Sequence, residues 1–131
     1  MIQPKKGHKA LRLGRSSEPG FRYFITICGK DKGSLLTNET FASAIQISFQ
    51  KAENDKVFEI TSYTIMPDHI HLVFRLGSKL SLGKAISRIK SEVSRNLETN
   101  SSLWQKGFYD HKLRNDGELY PILHYIFMNP H

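Results

Sequence analysis

Residues 57–76, "VFEITSYTIMPDHIHLVFRL", constrain the fold more than any other part of the chain. Two runs rich in β-branched and aromatic residues flank Met66, Pro67 and Asp68. Proline cannot donate to a strand ladder and presets the backbone for a tight turn, so the runs predict two strands joined as a hairpin. Side chains alternate between the two faces of a strand. In the second run Ile70, Leu72, Phe74 and Leu76 therefore point one way, toward packed helices. His69, His71, Val73 and Arg75 point the other way.

The rest of the pattern supplies the partners of that hairpin. "EPG" turns into "FRYFITICG", a first strand. Phe41, Ile45, Phe49 and Ala52 follow one helical face, which predicts an amphipathic helix over residues 38–54. Leu82, Ile86, Ile89, Val93 and Leu97 mark a second helix with Ser81 as its N-cap. "WQKGFYDHKLRN" reads as irregular or as a short edge strand. "GELYPILHYIFMN" has Leu119, Ile122, Leu123 and Ile126 at helical spacing, with Pro121 expected in the first turn. The order β-α-β-β-α-(β)-α predicts an α+β fold: a ferredoxin-like antiparallel sheet with helices packed on one face, plus a C-terminal helix carrying Tyr125. Nothing divides the 131 residues, so one domain is expected, preceded over residues 1–19 by a basic arm.

Composition narrows the function classes. Cys28 is the single cysteine, so no internal disulfide forms, and its place in "YFITIC" suits a small buried hydrophobe. No apolar run approaches a bilayer-spanning length, and the basic, polar N-terminus is unlike a signal peptide. A cytoplasmic protein without membrane contact is expected.

The formal net charge is +7, and Lys5, Lys6, Lys9, Arg12 and Arg15 share a stretch without an acid. Such an arm favours polyanions, because each neutralised phosphate releases counterions; a solvated tail is the bland alternative. On the second helix Lys84, Arg88, Ser91 and Arg95 form a basic stripe with Lys90 beside it, suited either to phosphates or simply to water. Trp104, Phe108 and Tyr109 near Lys106 and Arg114 offer stacking surfaces with adjacent cations, as single-strand binding needs. The alternative is that these aromatics pin their loop to the core, and for Trp104 that is the favoured reading.

Two histidines one residue apart on a strand suit two nitrogens converging on one metal ion, although an isolated pair of this kind also arises by chance. A histidine-triad hydrolase would need a third histidine where this chain has Val73, and a structural zinc site would need four ligands. A partner for the pair lies in "HYIFMNP", where Tyr125 and Asn129 are four residues apart on one helix face. The phenol of tyrosine is a weak nucleophile at neutral pH. A divalent cation that polarises and orients a phosphodiester lowers the barrier to its attack, and a covalent phosphotyrosine conserves the bond for rejoining. The amide oxygen of Asn129 could complete the ligand set. A tyrosine at a core edge and an Asn-Pro helix stop remain the alternatives at this point.

"MPDHIHLVF", "LWQKGFYDHKLRN" and "HYIFMNP", in that order, resemble the single-tyrosine HUH transposases, above all the REP-associated tyrosine transposases and their insertion-sequence relatives. "LRLGRSSEPGFRYFITIC" resembles the start of that family, so the likeness spans residues 11–130. The resemblance implies that His69 and His71 bind Mg2+ or Mn2+, with Asn129 as third ligand. It implies that Tyr125 cleaves single-stranded DNA to a 5′-phosphotyrosine and a free 3′-OH. The implied partner is single-stranded DNA with palindromic hairpins and a short guide sequence, which the basic arm would contact. The family includes monomers and homodimers, the latter supplying the tyrosine in trans. The other expectation is a non-cleaving protein that binds such hairpins. Family members continue beyond the Asn-Pro pair, so a last turn carrying both Asn129 and the end of this sequence is expected to fray. Tyr120, one turn before His124, is the secondary nucleophile candidate.

Overall fold

The computed structural model describes residues 17–30, 39–98 and 103–128. Lys5, Lys6, Lys9, Arg12, Arg15 and Asn129 lie outside the described residues. In chain order the elements are β1 (Arg22–Cys28), α1 (Glu39–Asn54), β2 (Phe58–Ile65), β3 (His69–Leu76), α2 (Leu82–Asn96), β4 (Tyr109–Lys112), a 3-10 turn (Asp116–Glu118) and α3 (Leu119–Met128).

The strands form one sheet in the order β2-β3-β1-β4, with every neighbouring pair antiparallel. β3 lies between β1 and β2, which α1 connects, and β1 lies between β3 and β4, which α2 connects. Two split β-α-β units thus interlock, as the order of elements predicts for a ferredoxin-like sheet. The hairpin turn closes through Met66 N–H donating to the His69 carbonyl at 2.8 Å, and Gly29 N–H ties it to β1 through the Asp68 carbonyl at 2.9 Å.

Alternation divides the sheet into two unlike faces. Tyr23, Ile25, Ile27, Ile70, Leu72, Phe74 and Leu76 bury against Phe41, Ile45 and Phe49 of α1 and Ile86, Ile89 and Val93 of α2. The Ser81 hydroxyl accepts from Lys84 N–H at 3.2 Å and caps α2 as the sequence predicts. Between the helices, Ser48 donates to Glu92 Oε1 at 2.8 Å, so the one acid of α2 is buried but satisfied.

The C-terminal helix packs on the opposite face. Ile122 and Ile126 bury against Phe24, Val73 and Leu113, with Leu119, Leu123 and Tyr125 at the margin. The helices therefore do not form a single layer: the sheet lies between α1 and α2 on one side and α3 on the other. Phe24 and Val73 are cross-strand neighbours, and together they form the apolar spot on which α3 lands. Pro121 occupies the third position of α3, in the first turn, where no intrahelical partner awaits its missing N–H.

Candidate active site

His69 and His71 project from β3 on the face that α3 partly covers. Their Nε2 atoms are 3.2 Å apart and their rings cross at 71°. Each remaining ring nitrogen has its own partner. His69 Nδ1 is 2.7 Å from Asp68 Oδ1, and His71 Nδ1 is 3.1 Å from Thr26 Oγ1. Thr26 is the β1 residue directly opposite His71, so β1–β3 register puts its hydroxyl there.

His71 is only 4% exposed. Burial, with a smaller contribution from neighbouring His69, pushes its pKa down to about 4. It is therefore neutral at pH 7, the state in which an imidazole has a lone pair to offer a cation.

α3 brings the third element. Ile122 and Ile126 point into the sheet and set the rotation of the helix, which leaves Tyr125 beside them at the edge of the apolar contact. Its ring centroid lies 5.8 Å from that of His71 and 6.4 Å from that of Phe24. Phe24 in turn packs on His71 at 5.3 Å. Tyr120, five residues earlier, is 75% exposed.

The donor set fits a divalent cation in one respect: two imidazole Nε2 atoms converge while hydrogen bonds occupy both Nδ1 atoms, as in metal-bound histidines generally. Among the described residues no group of three His, Cys, Asp or Glu side chains gathers to hold a metal. A third protein ligand would have to be of another type, or lie elsewhere in the chain.

The cations of α2 are distributed differently from the expectation. α2 covers the face opposite the histidines, so Lys84 and Arg95 are exposed on the far side of the molecule from the pair. Arg88 and Lys90 both have partners within the protein. Arg88 pairs with Glu92, Nε to Oε2 at 3.0 Å, and with Asp55 in the turn after α1. Lys90 Nζ donates to the carbonyls of Gln105 and Gly107 at 3.0 and 2.6 Å, and burial lowers its pKa from the usual lysine range. Helical spacing identifies a polar face, but the acceptors that occupy these two cations come from distant segments. Trp104 likewise serves as a loop anchor: Nε1–H donates to the Lys90 carbonyl at 3.1 Å, and the ring packs on Phe41.

Lys106 is exposed, and Arg114 pairs with Glu118 at 3.2 Å while remaining largely exposed. Phe108 is buried. Tyr109 is the cross-strand neighbour of Thr26, so it belongs to the histidine face. His111 shares that face but turns to Glu118 Oε1 at 3.3 Å.

Residue types alone missed Asp68, Thr26 and Arg22 on this face, and strand alternation had already placed Arg75 there. Asp68 had a visible signal, a carboxylate directly preceding a candidate ligand. Thr26 had none, since only strand register reveals it. Arg22 and Arg75 are opposite one another and, with Arg114 and Asn115, line a cavity of about 190 Å³. Arg22 is already paired with Asp116 at 3.3 Å, and Arg75 donates to the Gly20 carbonyl at 2.8 Å.

The antiparallel sheet thus carries two convergent histidines, with a helix-borne tyrosine beside them. The chain belongs to the IS200-like transposase family, whose model matches residues 18–129. A Haemophilus influenzae protein assigned as a REP-associated tyrosine transposase is 28% identical over 131 residues, covering 88% of this chain and 73% of its own length. The REP-associated tyrosine transposase of Escherichia coli K12 is 23% identical over 112 residues, covering 85% of this chain and 67% of its own. In three dimensions the chain is similar to a REP-associated tyrosine transposase solved with a REP hairpin. That match has a TM-score of 0.75 and 21% identity, over 99% of this chain and 73% of the other. No helix among the described residues is long and apolar enough to cross a membrane.

Proposed function

We propose that this transposase domain cleaves and rejoins single-stranded DNA beside a palindromic hairpin, with Tyr125 as nucleophile and His69, His71 and Asn129 as ligands of Mg2+ or Mn2+. The observation that carries the reading is the joint placement of three side chains. The two Nε2 atoms are 3.2 Å apart, and the Tyr125 ring lies 5.8 Å from the His71 ring. His71, buried and neutral, packs against both Phe24 and Tyr125, and this cluster of rings supports a tyrosine acting beside the histidines. A bound divalent cation would supply charge neutralisation and orientation of the phosphodiester. The phenolic oxygen forms a bond to phosphorus, and the bond from phosphorus to the 3′-oxygen breaks. The phenolic proton ends on the released 3′-OH, and the 5′-phosphate remains on the tyrosine. The reverse step, with a 3′-OH as attacker, rejoins strands. The structural relative solved with a REP hairpin supports a hairpin as the partner here.

Incubating a 5′- or 3′-labelled hairpin oligonucleotide with the protein and Mn2+ tests the reading. A denaturation-resistant protein–DNA adduct should form, carry only the label on the 3′ side of the cut, and disappear in Tyr125→Phe. Activity that survives in Tyr125→Phe and vanishes in Tyr120→Phe would move the nucleophile. Tight hairpin binding without an adduct across metals and pH values would replace the enzyme by a non-cleaving binder.

A further inference from the structure

The two histidines make different kinds of hydrogen bond. His69 Nδ1 faces the Asp68 carboxylate at 2.7 Å. A carboxylate only accepts, so this nitrogen carries the proton and a neutral His69 keeps the lone pair on Nε2. His71 Nδ1 faces the Thr26 hydroxyl at 3.1 Å, in a buried pair where neither group has water as a substitute. A hydroxyl both donates and accepts.

The consequence follows from the 3.2 Å between the two Nε2 atoms. Two lone pairs repel at that distance unless something positive lies between them. Without a cation, a neutral His71 supplies the proton: its Nε2–H donates to His69 Nε2, and its Nδ1 accepts from the Thr26 O–H. With a cation between the rings, His71 Nε2 must be bare. Its proton then resides on Nδ1, and Thr26 Oγ1 changes from donor to acceptor. A carboxylate opposite His71 would forbid the first state, and an apolar side chain would support neither.

We propose that Asp68 and Thr26 are positioning residues with distinct tasks: Asp68 locks His69 in its Nδ1–H form, and Thr26 lets His71 exchange tautomers as a divalent cation enters or leaves. The assignment rests on the reading of the pair as cation ligands, and it makes the His71 tautomer a direct reporter of occupancy.

Long-range 1H–15N correlation spectra of histidine-labelled protein at pH 8 test it. With chelator present, His69 should be protonated on Nδ1 and His71 on Nε2. Saturating Mg2+ should move the His71 proton to Nδ1 and leave His69 unchanged. Thr26→Val, nearly isosteric, should lower Mn2+ affinity in calorimetric titration about 10- to 100-fold, the range for loss of a partner behind a metal-bound histidine. Thr26→Ser should restore most of it. Asp68→Ala should lose affinity to a similar extent and show mixed His69 tautomers, with the unfolding midpoint reporting that the fold persists. His69 found as the Nε2–H form, or a folded Thr26→Val that binds Mn2+ as tightly as the wild type, would overturn the proposal. Failure of the underlying reading looks different: wild-type protein that takes up neither Mg2+ nor Mn2+ removes the cation site and the exchange at His71 together, whatever the metal-free tautomers.

Discussion

The two faces of the sheet are built from the same strands and have opposite characters. Beneath α1 and α2 the inward residues of β1 and β3 are apolar or aromatic and buried, and the carboxylate of buried Glu92 is satisfied by Ser48 and Arg88. On the other face α3 covers only a spot around Phe24 and Val73, and the adjoining rank across the sheet is polar: Thr64, His71, Thr26 and Tyr109. The first face holds the fold together. The second holds a desolvated histidine beside a tyrosine.

Substitutions should separate these roles. The largest effect on activity belongs to Tyr125→Phe, which should reduce adduct formation at least about a thousandfold with an unchanged unfolding midpoint. The largest effect on stability belongs to the packed face. Phe74 is fully buried and stacks on Phe58 at 4.5 Å, so Phe74→Ala should cost roughly 3–5 kcal/mol in denaturant unfolding.

A pH titration sharpens the contrast further. The His71 pKa is depressed to about 4 in the folded state, against about 6.5 unfolded. Above about pH 6.5 the ring is neutral in both states. As pH falls from there toward 4, the unfolded chain takes up a proton that the folded one refuses, so stability is lost. The chelated wild type should lose roughly 3 kcal/mol across this window, and His71→Asn should lose much less. A wild-type stability flat between pH 7 and 4 would contradict the burial of His71. The smallest effect concerns Lys90. Lys90→Met should cost about 1 kcal/mol by removing the donor to the Gln105 and Gly107 carbonyls, and should leave the salt dependence of hairpin binding unchanged. A salt slope reduced by about one would instead return Lys90 to the DNA surface.

The contrast between the faces also explains which features are legible in the amino-acid sequence. Strand alternation places both histidines on one face and the apolar partners on the other, because the two-residue period survives any tertiary arrangement. Helical spacing likewise picks out the buried stripe of α2 and its Ser81 cap. The same spacing does not reveal the partners of Arg88 and Lys90, since a periodic pattern shows which side of a helix is polar but not which distant acceptors lie against it.

Sequence alone thus determined the elements, their order, the paired histidines, and the candidacy of Tyr125, all consequences of local periodicity and short motifs. Tertiary structure decided the rest: that α3 crosses to the histidine face, that Thr26 lies opposite His71, and that Arg88 and Lys90 of α2 find partners in distant segments. Each of these depends on contacts between residues far apart in the chain. Register and layer order arise only when the whole sheet closes and its apolar spots find their covers.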